Sequence, residues 1–237
     1  MSGPAIAFIC AMPMELEPVV EKLSLTETTA GDSTIHTGTL DGRPVVAIVT
    51  GMGTAYARAG TQRLLDTVEV GHVLVVGITG AVDNETPIGT LVLPEVVHNS
   101  GTGAEFRHVP LIDAPHRGTM WTTDVIITDV ERIAALKTQG VVSFDMETAA
   151  IAELCEARGI PWSVFRVISD RATDGSVDQE IFELSNMDGT PNREKIERYM
   201  REHPERMPVL AQMAKDAALA RDTAADAAIA ACRRIDL

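Results

Sequence analysis

The chain has 237 residues, of which 45% are apolar and 23% charged. That composition excludes wholesale disorder and suits a soluble globular protein with a substantial core. The length predicts one domain over 1–237, since α/β domains run to about 250 residues. Twenty Lys and Arg against 34 Asp and Glu leave a formal charge of −14. Phosphate backbones and anionic lipid are repelled by such a surface, so neither nucleic acid nor a membrane is expected as a partner.

Three cysteines, Cys10, Cys155 and Cys232, lie far apart with no CxxC spacing. They indicate neither a disulfide framework nor a zinc site, and a reducing cytoplasm fits best. The six histidines show no metal-ligand spacing. No metal or organic cofactor is expected. The longest apolar run, residues 73–82, is broken by Gly77, Thr79 and Gly80, far short of the ~20 residues a membrane span needs. The opening stretch lacks a basic segment and turns acidic at Glu15, unlike a secretory signal.

Residues 5–11 (AIAFICA) form a short apolar run that predicts a buried strand. Pro13 and Glu15 then lead into a helix carrying Leu16, Val19, Val20 and Leu23. Residues 34–50 predict a hairpin about Asp41-Gly42, a turn pair that tolerates positive φ. Gly51 and Gly53 precede a helix over 54–65 and allow close backbone approach to a ligand. Strands follow at 72–77, ending in Gly77-Ile78-Thr79-Gly80, and at 90–97. Residues 98–120 read as a loop whose His98, His108 and His116 suggest a pocket lid or a subunit contact. A strand at 141–144 leads into a helix over 146–158, ended by Gly159. A strand over 160–168 runs into Ser169-Asp170. Beyond a turn-rich stretch at 186–193 lie a charged helix to Arg206 and an Ala-rich helix to Arg234. Residues 186–237 read as a C-terminal helical addition.

Strands alternating with helices predict an α/β fold: a mixed, mostly parallel central sheet covered on both faces, three layers in all. Ligands bind beyond the carboxyl ends of such strands. Five segments gather there: 11–15, 50–53, 77–81, 144–147 and 169–170.

In this order the segments AMPME, TGMG, GITGA, FDMETAA and ISD resemble the purine nucleoside phosphorylase/uridine phosphorylase superfamily. The nearest branch is the 5′-methylthioadenosine/S-adenosylhomocysteine nucleosidases. The likeness runs over about residues 5–175. It implies a nucleoside-phosphorylase-like fold and cleavage of the N-glycosidic bond of a purine nucleoside, giving free base and a ribose derivative. Residue by residue, it implies that Glu15 activates water and Asp170 protonates purine N7. Glu147 would hold the ribose hydroxyls, with Met146 packed on the sugar. Gly80, Thr79, Ile126, Ile127, Ser169 and Gly53 would contact substrate, and Arg166 would stand behind Asp170. The branch also implies a homodimer.

The chemistry accounts for these residue types. Bond cleavage puts cationic character on the ribose and negative charge on the base. A buried acid with a raised pKa neutralises the base, and a carboxylate beside the sugar offsets its charge. Phosphorolytic relatives bind phosphate with arginines near the N-terminal loop. Here Glu15 stands in that loop and no arginine precedes Arg43, which favours water.

Two departures from the branch stand out. Gly77-Ile78-Thr79-Gly80-Ala81 replaces its usual G-S-A-G-G turn. Ile126 replaces the phenylalanine that stacks on adenine, with Trp121 the nearest aromatic. Plainer readings also exist. Glu15 is well placed as a solvated first-turn helix acid, Glu147 as an ordinary first-turn acid, a role its neighbour Asp145 fits better, and Asp170 as a strand-end cap for the next turn. The methionines are ordinary core filler, the glycines ordinary turn residues, and Cys10 and Cys155 inert core thiols. A phosphorylase and a non-catalytic nucleoside-binding protein are the alternatives.

Overall fold

The computed structural model describes residues 3–236. In chain order the elements are β1 (Ala5–Cys10), α1 (Pro13–Leu23), β2 (Thr26–Ala30), β3 (Ser33–Leu40), β4 (Arg43–Val49), α2 (Thr54–Thr67) and β5 (Val70–Ala81). Then follow β6 (Leu91–Val92), β7 (Val96–Asn99), β8 (Glu105–Phe106), β9 (Thr119–Thr122), α3 (Val130–Thr138), β10 (Val141–Asp145) and α4 (Thr148–Ala157). The chain continues through β11 (Trp162–Arg171), α5 (Gln179–Phe182), α6 (Arg193–Glu202) and α7 (Met207–Ala231). The strands make one mixed sheet in the order β2-β3-β4-β1-β5-β10-β9-β7-β8. β11 pairs with β5 and β6 off this path.

The centre of the sheet is parallel. β1 lies between β4 and β5, and β11 runs along most of β5. All six residues of β1 are buried, as a strand covered on both faces requires. Alternate residues face opposite layers. Ile9 and Val75 pack with Leu64 of α2 and Ile151 of α4. Phe8 and Val76 pack with Leu16 and Val19 of α1 and with Ala220, Ala224 and Ala228 of α7. Alanines four apart give α7 a narrow, flat face, so a long helix sits close against the sheet. β5 is long enough to change partners. Its far end leaves β1 and pairs antiparallel with β10, Phe144 opposite Gly80. That switch brings the ends of β1, β5, β10 and β11 to one place.

Several local expectations change. The expected strand over 90–97 is two short strands, since Pro94 cannot donate to a ladder. The expected loop over 98–120 begins within β7, contains β8 and ends in β9. β2 and α3 were not foreseen; Asp129 caps α3 by accepting from the Arg132 amide at 2.7 Å. The Asp41-Gly42 hairpin is as expected, with φ of 51° and 79° at the two turn residues. The helix expected from 146 starts at Thr148. The stretch after 186 divides at Met207. α7 builds one of the two main apolar layers, whereas α6 buries only Tyr199. Among the described residues, no helix is long and apolar enough to cross a membrane.

One buried histidine ties the sheet together. The Ser163 hydroxyl donates to the Val109 carbonyl at 2.7 Å, which leaves His72 Nε2 to donate to Ser163 Oγ at 2.9 Å. Burial holds the imidazole neutral and pushes its pKa down to about 4. Its unfolded value is about 6.5. The stability it contributes is therefore present above pH ~6.5 and is lost as pH falls through about 4. We expect His72→Gln to flatten the dependence of melting temperature on pH across that window, read by calorimetry at successive pH values.

Candidate active site

A cavity of about 290 Å³ opens where the four strand ends meet. Its floor is a buried charge cluster. Arg166 of β11 is 2% exposed, and its guanidinium reaches three carboxylates. Nη1 lies 3.2 Å from Glu15, and Nη2 lies 2.8 Å from Glu147 and 3.3 Å from Asp145. All three acids are also buried. The carboxylates raise the already high pKa of the guanidinium against the opposing effect of burial, so it remains a cation. Around it, burial pushes Glu147 up, Arg166 pulls it back down and the Asp145 charge pushes it up again.

Each carboxylate is held by its own local structure. Glu15 sits in the first turn of α1, which Pro13 opens. Its Oε2 accepts from the Ala11 and Met12 amides, both at 2.9 Å, as in a capping box. Its Oε1 accepts from the Ile78 amide at 2.8 Å and from Arg166. Glu15 does stand in the first turn of α1, but it is buried rather than solvated, and it lines the cavity. Asp145 ends β10 and receives the Thr148 amide at 2.8 Å and the hydroxyls of Thr122 and Thr148. It caps α4 and also touches Arg166. Glu147 accepts from the Gly53 amide at 2.8 Å, so the TGMG segment serves to fix this acid.

Asp170 stands apart from the cluster. Ser169 Oγ donates to it at 2.6 Å. Burial raises its pKa, and the Ser169 hydrogen bond works weakly against that. It lies across from Gly80 in the β11–β5 ladder, just past a register shift. A Cβ at Gly80 would fall 2.9 Å from Asp170 Oδ2, so glycine there leaves the acid its space.

Glu15, Asp170, Glu147, Met146, Gly80, Thr79, Ile126, Ile127 and Ser169 all line the cavity. Three expectations need correction. Gly53 does not line the cavity; it acts through its amide on Glu147. Arg166 lines the cavity and makes no bond to Asp170, because three carboxylates on the other side are stronger partners for a buried guanidinium. The histidines of 98–120 are no lid. His98 stacks on Trp121 at 4.2 Å, and His108 and His116 both approach the Pro94 carbonyl. Neither they nor Trp121 line the cavity. Cys10 and Cys155 are buried, with burial pushing both thiols up, Cys155 to about 12. The apolar wall from Val177, Ile181, Phe182 and Met213 was not foreseen. Among the described residues, no group of three His, Cys, Asp or Glu side chains is placed to hold a metal ion.

Residues 5–115 and 110–199 match the phosphorylase superfamily. The chain belongs to that superfamily. A 5′-methylthioadenosine/S-adenosylhomocysteine nucleosidase of Anoxybacillus flavithermus is 30% identical over 198 residues, 70% of this chain and 85% of the relative. The nucleosidase of that name from Halalkalibacterium halodurans is 27% identical over 197 residues, again 70% and 85% of the two chains. Solved structures share the fold. The 5′-methylthioadenosine/S-adenosylhomocysteine nucleosidase from S. pneumoniae, solved with a transition-state inhibitor, is 21% identical, with a TM-score of 0.72 over 98% of this chain and 100% of that one. Futalosine hydrolase of Helicobacter pylori is 15% identical, with a TM-score of 0.75 over 98% of each chain.

The cluster allows no side chain at Gly77. A Cβ there would fall 2.1 Å from Glu15 Oε1 and 2.7 Å from Arg166 Nη1. We expect Gly77→Ala to lower stability by about 1–3 kcal/mol and to abolish most activity, measured by denaturant unfolding and by turnover of the folded fraction.

Proposed function

We propose that this protein hydrolyses the N-glycosidic bond of a purine nucleoside of the 5′-methylthioadenosine/S-adenosylhomocysteine type, releasing free base and a ribose derivative. The observation that carries this reading is the floor of the cavity. Arg166 is the one cation among the lining residues, and three buried carboxylates already occupy it. A phosphate dianion would meet a cation already partnered by three carboxyl groups and find no other, whereas water and ribose hydroxyls are neutral. The names of the relatives support the same substrate class.

Asp170 serves as the general acid. Burial favours its protonated form, and Ser169 fixes the carboxyl while it donates to purine N7 as the base leaves. Glu147, anchored by Gly53 and Arg166, accepts from the ribose 2′- and 3′-hydroxyls. Its partial charge lies near the sugar as cationic character develops. Met146 packs on the ring. Glu15 receives water. Its two oxygens already take four donors, and the contact to Arg166 at 3.2 Å is the longest of them. Ile126 and Ile127 form the aliphatic wall for the base. The chain works as a homodimer in the cytoplasm.

Chromatography of base released from 5′-methylthioadenosine tests the reading. We expect release by the unaltered protein, and a loss of about 10²–10⁴ in kcat/KM for Asp170→Asn. The sign with pH follows from the raised pKa of Asp170. The acid is competent while protonated, so the rate falls as pH rises through that pKa, and Asp170→Asn removes this limb. Full activity in the variant would reject the assignment.

A further inference from the structure

The loop between β9 and α3 supplies part of the cavity wall. Thr123, Val125, Ile126 and Ile127 line the cavity. One end of this stretch is fixed by the Thr123 amide, which donates to the Asp145 carbonyl at 2.9 Å. The other end is fixed by Ile127, buried with Val82, Val141 and the α3 residues Ile133 and Leu136. Val125 and Ile126 stand between these anchors, the first exposed and the second half-buried. Asp124 lies among them but does not line the cavity. Its Oδ1 accepts from the Thr54 amide at 2.7 Å, and its Oδ2 accepts from the Thr54 hydroxyl at 2.6 Å. Among the described residues, these two are the hydrogen bonds that tie residues 124–127 to another segment.

Thr54 opens α2, whose N-cap is Gly53 and whose first turn holds no acid of its own. The first amides of a helix have no partner within it and favour negative charge. Two carboxyl groups from distant segments take them here. The Gly53 amide donates to Glu147 at 2.8 Å, and the next amide, of Thr54, donates to Asp124. Glycine suits this turn, since its φ is 94° and a Cβ would fall 3.2 Å from Asp124 Oδ1. Adjacent amides of one turn thus hold both Glu147 and the loop that carries Ile126. We propose that Asp124 is a positioning residue: by clamping the 123–127 loop to the start of α2, it sets the wall that meets the base relative to Glu147, and so governs substrate affinity without touching substrate. This rests on the functional reading above. Loss of the clamp frees Val125 and Ile126, while Thr123 and Ile127 keep their own anchors. Ser169 and Asp170 on β11 and Glu15 on α1 lie outside the loop, so the reacting groups keep their places.

The test is steady-state cleavage of 5′-methylthioadenosine by Asp124→Ala, Asp124→Asn and Thr54→Val. We expect Asp124→Ala to raise KM about tenfold, with kcat held within about threefold. A purely structural role would lower the folded fraction, which reduces apparent kcat and leaves KM alone. That pattern, or an unmoved KM, overturns the proposal. Asp124→Asn keeps an acceptor for the Thr54 amide, and the Thr54 hydroxyl can accept from its side-chain nitrogen. Its KM should lie within about threefold of the unaltered protein; a KM as high as that of Asp124→Ala contradicts the clamp. Thr54→Val removes the hydroxyl and keeps the amide. In that background Asp124→Ala should raise KM by a smaller factor than it does alone, because part of the contact is already gone; strictly multiplicative effects contradict the proposal. No base release by the unaltered protein would bring down the nucleosidase reading. Release with an unmoved KM in Asp124→Ala would bring down this inference alone.

Discussion

Everything at the centre of this molecule is arranged around one buried guanidinium. Arg166 would be prohibitively costly to bury alone, and so would any of Glu15, Asp145 and Glu147. Together they form a set in which each charge faces an opposite one, within 2.8–3.3 Å. The set draws on α1, on the β10–α4 junction and on β11, so it exists only when those elements have closed on one another. The fold and the site therefore share a constraint. Gly77 has no room for a side chain because Glu15 and Arg166 pass directly over it.

The same constraint sets the chemistry. With its one lining cation already shared among three carboxyl groups, the cavity floor has no cation left for an anionic ligand. It favours a substrate whose transition state gains positive charge on the sugar, and it disfavours an anionic nucleophile. Asp170 lies outside the cluster, with only Ser169 as a side-chain hydrogen-bond partner, so burial governs its titration. Two settings for a carboxyl group thus arise in one cavity: Glu15, Asp145 and Glu147 share a cation, whereas Asp170 has none beside it and burial raises its pKa.

The strand-end segments were legible in the sequence because their signals are local. Apolar runs mark β1, β5 and β11, and Asp41-Gly42 marks the hairpin turn. The acids of the site were found at the ends of those runs or through the resemblance. The partner of Arg166 was not legible. Residues 15, 145, 147 and 166 meet only through the sheet, and nothing in their spacing says which acid the arginine will face. α3 gives a weak signal in the sequence because its first apolar residue, Val130, is exposed and only Ile133 and Leu136 are buried. The wall from Val177, α5 and α7 is faint in the sequence for a similar reason. Val177, Ile181 and Phe182 stand among polar residues, and Met213 lies on an Ala-rich helix with no contrast between its faces.

The central claim is that the charge cluster selects water over phosphate. The most direct measurement is cleavage of 5′-methylthioadenosine in heavy-oxygen water with phosphate present in excess, followed by mass spectrometry of the sugar product. The account predicts heavy oxygen at C1 of a free ribose derivative and a rate unchanged when phosphate is removed. A ribose 1-phosphate product, formed only when phosphate is supplied, would contradict it.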